Sequence, residues 1–168
     1  MKDLKRNATK CLALGAALGI GVAPAAVAAA KTVVPKKGAA FVGTSTQKSG
    51  NLGLPLDLRV SPTGTTMGRF DIEWTSTCQG TGGQGSYGGL SVTLNKKITK
   101  GVFTDTSTFS KAFSNGDKGA FVTKLYGKFT NPLRAAGTFR VTVIITDGTT
   151  GATVDSCDSG VVTWVATN

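Results

Sequence analysis

Histidine is absent from all 168 residues of the chain. Its absence excludes Ser-His-Asp and Cys-His catalysis, because both mechanisms need an imidazole as the general base. It also argues against the usual zinc hydrolase sites, in which histidine supplies most of the metal ligands. An enzyme with this composition would have to rely on carboxylates.

Apolar residues are concentrated in one short stretch near the start. "CLALGAALGIGV" has twelve residues, whereas a membrane-spanning helix needs about 20. It follows "MKDLKRNATK", which carries four basic residues and one acid, and it precedes small residues. This order predicts a signal peptide over residues 1–30, with A-x-A cleavage sites ending at Ala28 and Ala30. We therefore expect a secreted protein, extracellular or associated with the cell surface, with no transmembrane segment after cleavage.

Acidic residues are in the minority, at 9 against 19 lysines and arginines. Removing residues 1–30 leaves 8 acidic residues against 15 lysines and arginines, a net charge of +7. This charge favours anionic polymers as partners through long-range attraction, and solubility alone is the alternative explanation of it. The basic residues are scattered, however, and no run reaches five, which is not the pattern of a specific nucleic-acid site.

Cysteine is scarce as well, with three in the chain. Cys11 lies in the predicted signal peptide, so cleavage would leave Cys78 and Cys157. An even number of cysteines in an exported domain predicts a disulfide. Two thiols without any histidine would make a poor metal site, so no metal and no cofactor are expected.

Alternating apolar and polar residues dominate the mature chain, and no long segment shows helical periodicity. "LPLDLRV", "RFDIEWT", "FVTKLYGKF", "TFRVTVIIT" and "GVVTWVA" all read as strands, with glycine-rich or proline-containing turns between them. Such short, regularly spaced strands predict an antiparallel β-sandwich, Ig-like or jelly-roll-like. We assign residues 39–168 to this domain and residues 31–38 to a flexible basic leader.

The stretch "CQGTGGQGSYGGLSV" contains Gly80-x-Gly82-x-x-Gly85, with Asp105 twenty residues further on. This spacing matches the dinucleotide-binding fingerprint, which requires a helix directly after the glycines. Here an alternating strand follows instead, so no nucleotide site is expected. Residues 79–89 are predicted to form a mobile loop in which Tyr87 either contacts a ligand or packs the loop in place.

Two sets of carboxylates are candidate chemical sites. Asp71 and Glu73 lie two apart on one strand face, about 7 Å from each other, a separation compatible with glycoside hydrolysis. The alternative is a solvent-facing strand. Asp147, Asp155 and Asp158 suggest calcium, although their spacing is not that of a calcium loop. Here the alternative is aspartates that bind backbone N–H groups in turns.

The segment "KLYGKF" places Lys124, Tyr126 and Lys128 on one face of a strand. Two cations beside an aromatic ring form a platform suited to an anionic polymer or glycan. A plain solvated strand is the alternative.

"YGKFTNPLRAAGTFRVTV" and "CDSGVVTWVAT" together resemble a run found in uncharacterised exported bacterial β-sandwich proteins. The shared features are a G-x-F strand, a G-T-F-R strand and a C-x-S-G-x-V-x-W ending, over residues 126–167. The resemblance implies a secreted all-β domain with a disulfide and implies no activity. Gly137 and Trp164 then have structural roles, with Trp164 in or near the core.

These observations predict a secreted, non-catalytic domain that binds cell-envelope or environmental polysaccharides, anionic or neutral. The expected contacts are Tyr87, Lys124, Tyr126 and Lys128. One alternative is a small carbohydrate hydrolase using Asp71 and Glu73. Another is a secreted inhibitor or structural envelope protein that inserts the 79–89 loop into a partner.

Overall fold

The computed structural model describes residues 32–80 and 85–168. The predicted signal peptide and its cleavage sites lie outside these residues. The described chain contains nine strands and no helix. They are β1 (Ala40–Ser49), β2 (Leu52–Val60), β3 (Thr66–Cys78), β4 (Gly85–Lys97), β5 (Val102–Ala112), β6 (Lys118–Asn131), β7 (Arg134–Thr146), β8 (Thr153–Asp158) and β9 (Val162–Thr167). Within the same ranges, no helix has the length and hydropathy needed to cross a membrane.

The alternation of the sequence sets which side chains enter the core. On β3, Phe70, Ile72 and Trp74 are buried, and the residues between them face outward. The same period of two buries Phe139 and Val141 on β7. Successive strand residues point to opposite faces, so each alternating run buries one side and exposes the other. The all-β, antiparallel class is thus confirmed.

The nine described strands belong to one sheet that closes on itself. The order β4-β3-β2-β1-β9-β7-β6-β5 runs through the sheet, and β8 pairs with both β3 and β7. Consequently β1, β2, β3, β8, β7 and β9 form a closed ring of six strands, with β4 added to β3 and with β6 and β5 added to β7. The strand pairing thus gives a barrel where two separate sandwich sheets were expected, because β8 joins the strands that a sandwich would keep apart.

The core lies between the two halves of this curved sheet. The Phe41 ring of β1 meets the Phe129 ring of β6 edge to face, with centroids 5.5 Å apart. Trp74 of β3 lies 5.6 Å from Phe139 of β7, measured between ring centroids. Aromatic pairs at these distances add to the stabilisation from burial alone.

The predicted disulfide is present and closes the ring. Cys78 and Cys157 face each other in the antiparallel pairing of β3 and β8, with Cα atoms 4.0 Å apart. Only one further residue pair, Thr77 with Asp158, joins these two strands in the described chain. The covalent bond therefore reinforces the strand pair of the ring that has the fewest paired residues.

The residues predicted as a flexible leader make contacts with the domain. The backbone N–H of Lys36 donates to the carbonyl of Pro132 at 3.0 Å, and Gly38 donates to Ser61 at 2.9 Å. Val33 packs against the main core. Residues 32–38 are irregular in conformation and contact the domain through Val33, Lys36 and Gly38.

Candidate functional site

The basic face, defined here as Lys124, Tyr126, Lys128 and Arg140, lies on the outside of β6 and β7. The three β6 residues alternate with buried Leu125 and with Phe129, so the pleat of the strand turns them all outward, as the sequence predicts. Arg140 of β7 is the cross-strand partner of Lys124. Sequence reasoning did not connect Arg140 to β6, because that link depends on the register of two strands.

A shallow depression of about 380 Å³ opens on this face. Lys124, Tyr126 and Arg140 contribute to its wall, together with threonines of β5 and β7. Tyr126 exposes 42% of its surface, so its ring is available to a ligand. In the described residues, neither Lys124 nor Lys128 forms an ion pair with a carboxylate.

Arg140 is held in place by Asp158 of β8. Its Nε donates to one carboxylate oxygen at 3.0 Å, and its Nη2 donates to the other. These hydrogen bonds lower the pKa of Asp158 and raise the pKa of Arg140. The guanidinium is therefore positioned before any ligand arrives, a form of preorganisation.

The two candidate catalytic carboxylates share the outer face of β3, as predicted. Asp71 forms an ion pair with Arg69, with 2.7 Å between Nε and Oδ2. Glu73 accepts a hydrogen bond from the hydroxyl of Tyr87. Asp57 of β2 is the direct cross-strand partner of Asp71, and all three acids line a depression of about 320 Å³. Sequence reasoning missed Asp57, although its position between outward-alternating residues of "LPLDLRV" was a signal.

Tyr87 lies on β4 and not in a loop. Residues 85–89 pair with β3, so the predicted loop at 79–89 is wrong for this part, and residues 81–84 are outside the described chain. Tyr87 faces outward opposite Thr75, and 61% of its surface is exposed. The structure joins it to Glu73 and separates it from Tyr126, because β4 and β6 belong to opposite halves of the sheet.

The Tyr87–Glu73 contact predicts a titration change. The hydrogen bond to Glu73, then burial, then the nearby negative charge raise the pKa of Tyr87 above its ordinary value. Replacing Glu73 by glutamine should therefore lower the pKa of Tyr87. The chain has two tyrosines, so phenolate absorbance in a Tyr126→Phe background reports Tyr87 alone. Asp71→Asn is the control and should leave the pKa of Tyr87 unchanged. The same Tyr87 pKa with and without Glu73→Gln would contradict the contact.

The glycine-rich stretch leads into a β-strand, whereas a nucleotide site needs a helix at that position. Gly85 begins β4, which runs directly onward as a strand. Asp105, the acid at the fingerprint spacing, is buried on β5 and lies 2.8 Å from the Lys96 ammonium. The helix that would bind a pyrophosphate at its N-terminus is replaced here by strand β4.

The three aspartates considered for calcium bind backbone N–H groups instead. Asp147 accepts from Thr149 and Thr150, and Asp158 accepts from Gly160. Asp155 accepts from Gly80 and Ser156 at 2.7 Å. The contacts of Asp147 and Asp158 are the local turn contacts that the alternative interpretation predicts, whereas Asp155 reaches Gly80, which is distant in the chain. Asp155 also lies within 4.8 Å of both cysteine sulfurs, but those sulfurs are bonded to each other and offer no thiolate.

The fold and its surfaces define an all-β, disulfide-closed barrel with a basic outer face. Comparisons with protein-family models, with curated proteins and with solved structures give no match. The resemblance to exported β-sandwich proteins therefore stays a prediction.

Proposed function

We propose that this protein is a secreted, non-catalytic binding domain for an anionic cell-envelope polysaccharide. The observation that supports the proposal is the depression shared by Tyr126, Lys124 and Arg140 on the basic face. An exposed ring beside cations offers both a flat apolar surface and charge complementarity to an acidic glycan.

The shape of the basic face also supports a polymer as the ligand. Lys124 and Lys128 lie two residues on either side of Tyr126, so about 7 Å of strand separates each lysine from the ring. A row of this kind follows an extended chain and makes repeated contacts with it. Threonine hydroxyls of β5 and β7 border the row and can donate to sugar oxygens.

The test is retention of the purified protein on isolated cell walls, on an insoluble acidic polysaccharide and on cellulose, across a salt series. We expect retention on the acidic glycan that persists at moderate salt. Tyr126→Ala should weaken it about tenfold, since stacking on a ring contributes about 1–3 kcal/mol in other polymer complexes. Lys124→Gln with Lys128→Gln should weaken it further and reduce its dependence on salt.

Two matched controls separate a site from general adhesion. Lys48→Gln with Lys97→Gln removes the same charge from exposed positions elsewhere, and Tyr87→Ala removes the other exposed tyrosine. Both controls should bind like the unmodified protein. If they weaken retention as much as the basic-face variants, the net charge alone causes the adhesion and the proposal fails.

Hydrolysis is the second candidate, favoured by the meeting of Asp57, Asp71 and Glu73 on one outer face. General acid–base hydrolysis of a glycoside needs two such carboxylates. Under this alternative, the same acidic glycan would release reducing ends, and Asp71→Asn with Glu73→Gln would abolish the release. Under the binding proposal, that double variant keeps full retention.

A further inference from the structure

A cleft of about 390 Å³ opens at one end of the barrel, between β4 and β5. The two strands follow each other in the chain, and Lys96 of β4 reaches Asp105 of β5 near the turn that connects them. In the described chain they form no ladder with each other and stand at the two ends of the strand order. Beyond the ion pair the edges separate, and the cleft fills the space between them.

The floor of the cleft is one lateral row of the sheet. Phe109 of β5 pairs with Phe121, Phe121 pairs with Val143, and Val143 pairs with Cys157, which is bonded to Cys78. All five side chains line the cleft. An apolar floor across five strands favours a ligand with a hydrocarbon body.

Aromatic rings form much of this floor. The rings of Phe109 and Phe121 are stacked, with centroids 4.6 Å apart and 3° between their planes. Phe113 lies 6.5 Å from Phe121, and Trp74 lines the β3 side. The three phenylalanines are only partly buried. Flat, partly exposed rings around an open space suit an aromatic ligand by offset or edge contacts.

Charge enters the cleft in the next row of the sheet, where Lys111 is exposed and Asp155 is buried. Lys111 pairs with Gly119, Gly119 with Ile145, and Ile145 with Asp155. Lys111 and Asp155 both line the cleft, on strands separated by three spacings, about 14 Å along the sheet. Lys111 is exposed and makes no ion pair among the described residues. Asp155 accepts backbone N–H bonds from Gly80 and Ser156.

We propose that this cleft binds a small aromatic monocarboxylate. Its ring system lies on the phenylalanine floor, and its carboxylate pairs with Lys111 at the mouth. Asp155 on the opposite side disfavours a second negative charge, so the site selects a monoanion over a dianion. The cleft is separate from the basic face, which is on the outer surface of β6 and β7, and its occupancy does not depend on polysaccharide binding.

Calorimetric titration of the whole purified protein with naphthoate tests the proposal, with naphthylmethanol and naphthalenedicarboxylate as the neutral and doubly charged comparisons. Naphthoate should bind most tightly of the three. Lys111→Met should weaken naphthoate about fivefold, the effect of one exposed ion pair, and leave naphthylmethanol unchanged. Lys118→Met is the matched control, because Lys118 is an exposed lysine on the neighbouring strand and does not line the cleft.

A second pair of variants tests the location. Ile145→Trp fills the cleft and should abolish naphthoate binding. Ile144→Trp makes the same change one residue away on the outer face, where 51% of the side chain is exposed, and should have no effect. Absence of naphthoate binding, equal binding by the two tryptophan variants, or equal affinity for all three ligands would overturn the proposal.

Discussion

Replacing Cys78 and Cys157 together by alanine is expected to lower the free energy of unfolding by about 4.5 kcal/mol. The bond joins residues 79 apart, so breaking it releases a loop of about 80 residues in the unfolded chain. The chain-entropy relation gives this figure for a loop of that length. Single domains are stable by about 5–15 kcal/mol, so the loss is a large part of the total.

Local geometry adds to the expected effect. The bond joins one of the two residue pairs that link β3 to β8 in the described chain. Without it, the ring of six strands depends at that point on hydrogen bonds, among them the backbone bond from Gln79 to Ser156 and the bond from Gly80 to the Asp155 carboxylate. Both sulfurs are buried, and alanine is chosen because a serine hydroxyl would be costly there.

Urea unfolding followed by circular dichroism measures the change, with Cys11→Ser present in every protein so that a single cysteine pair is compared. The dependence of the unfolding free energy on urea should become steeper, because the unbridged denatured chain exposes more surface. The bridged protein under reducing conditions is the control and should match the alanine variant. A loss below about 1 kcal/mol would mean that the sheet closes the ring without help from the bond.

The strands of this fold were predictable because their signal is local. Alternation in "RFDIEWT" places Phe70, Ile72 and Trp74 inward whatever their partners are. Ring closure was not predictable, because it depends on β8 pairing with β3 across 79 residues. The sequence of β8, "TVDSCD", shows little alternation of apolar and polar residues, so it does not predict a strand clearly. A sandwich and a closed barrel therefore give the same sequence pattern.

The candidate sites on the surface also divide into those that the sequence shows directly and those that depend on strand pairing. Lys124, Tyr126 and Lys128 share a face because they share a strand, which the sequence shows directly. Asp57 beside Asp71 depends on strand register. The cleft between β4 and β5 depends on the register of still more strands, since several strands each contribute residues to its lining. Non-local juxtapositions of this kind leave no spacing to read in the chain.

The error at residues 85–89 has a specific physical cause. Glycines usually indicate a loop because of their conformational freedom. Gly88 instead lies within β4 opposite Trp74, and a Cβ there would come within 2.7 Å of the Trp74 ring. The glycine therefore provides room for an aromatic side chain on the neighbouring strand. Glycine in a strand often marks such a close approach.

The same arrangement recurs deeper in the barrel, where it explains the G-x-F and G-T-F-R patterns. Phe103 of β5 pairs with Gly127, Gly127 with Gly137, and Gly137 with Trp164. The two rings lean over the two glycines from opposite sides, with centroids 6.3 Å apart. A Cβ on Gly127 would come within 2.1 Å of the Phe103 ring. Aromatic side chains that cover glycines in this manner help to fix strand register.

Gly137→Ala is therefore expected to destabilise the protein by about 3 kcal/mol, at the upper end of the usual cost of overpacking. The added Cβ would lie 1.9 Å from the carbonyl oxygen of Tyr126 and 2.6 Å from the Trp164 ring. Neither can move freely, because the carbonyl is backbone and the tryptophan is 2% exposed. The measurement is urea unfolding at fixed pH, with tryptophan fluorescence reporting the environment of the ring.

Gly68→Ala is the matched control, a glycine inside β3 whose Cβ would meet only the Arg59 carbonyl oxygen, at an ordinary 3.5 Å. It should change stability by less than about 1 kcal/mol, since surface changes without a clash are usually mild. Equal losses in the two variants would mean that strand glycines are costly to replace in general, and the aromatic cover over Gly137 would have no special role. A large loss at Gly137 alone would identify the row of Phe103, two glycines and Trp164 as the contact that sets the register of β5, β6, β7 and β9.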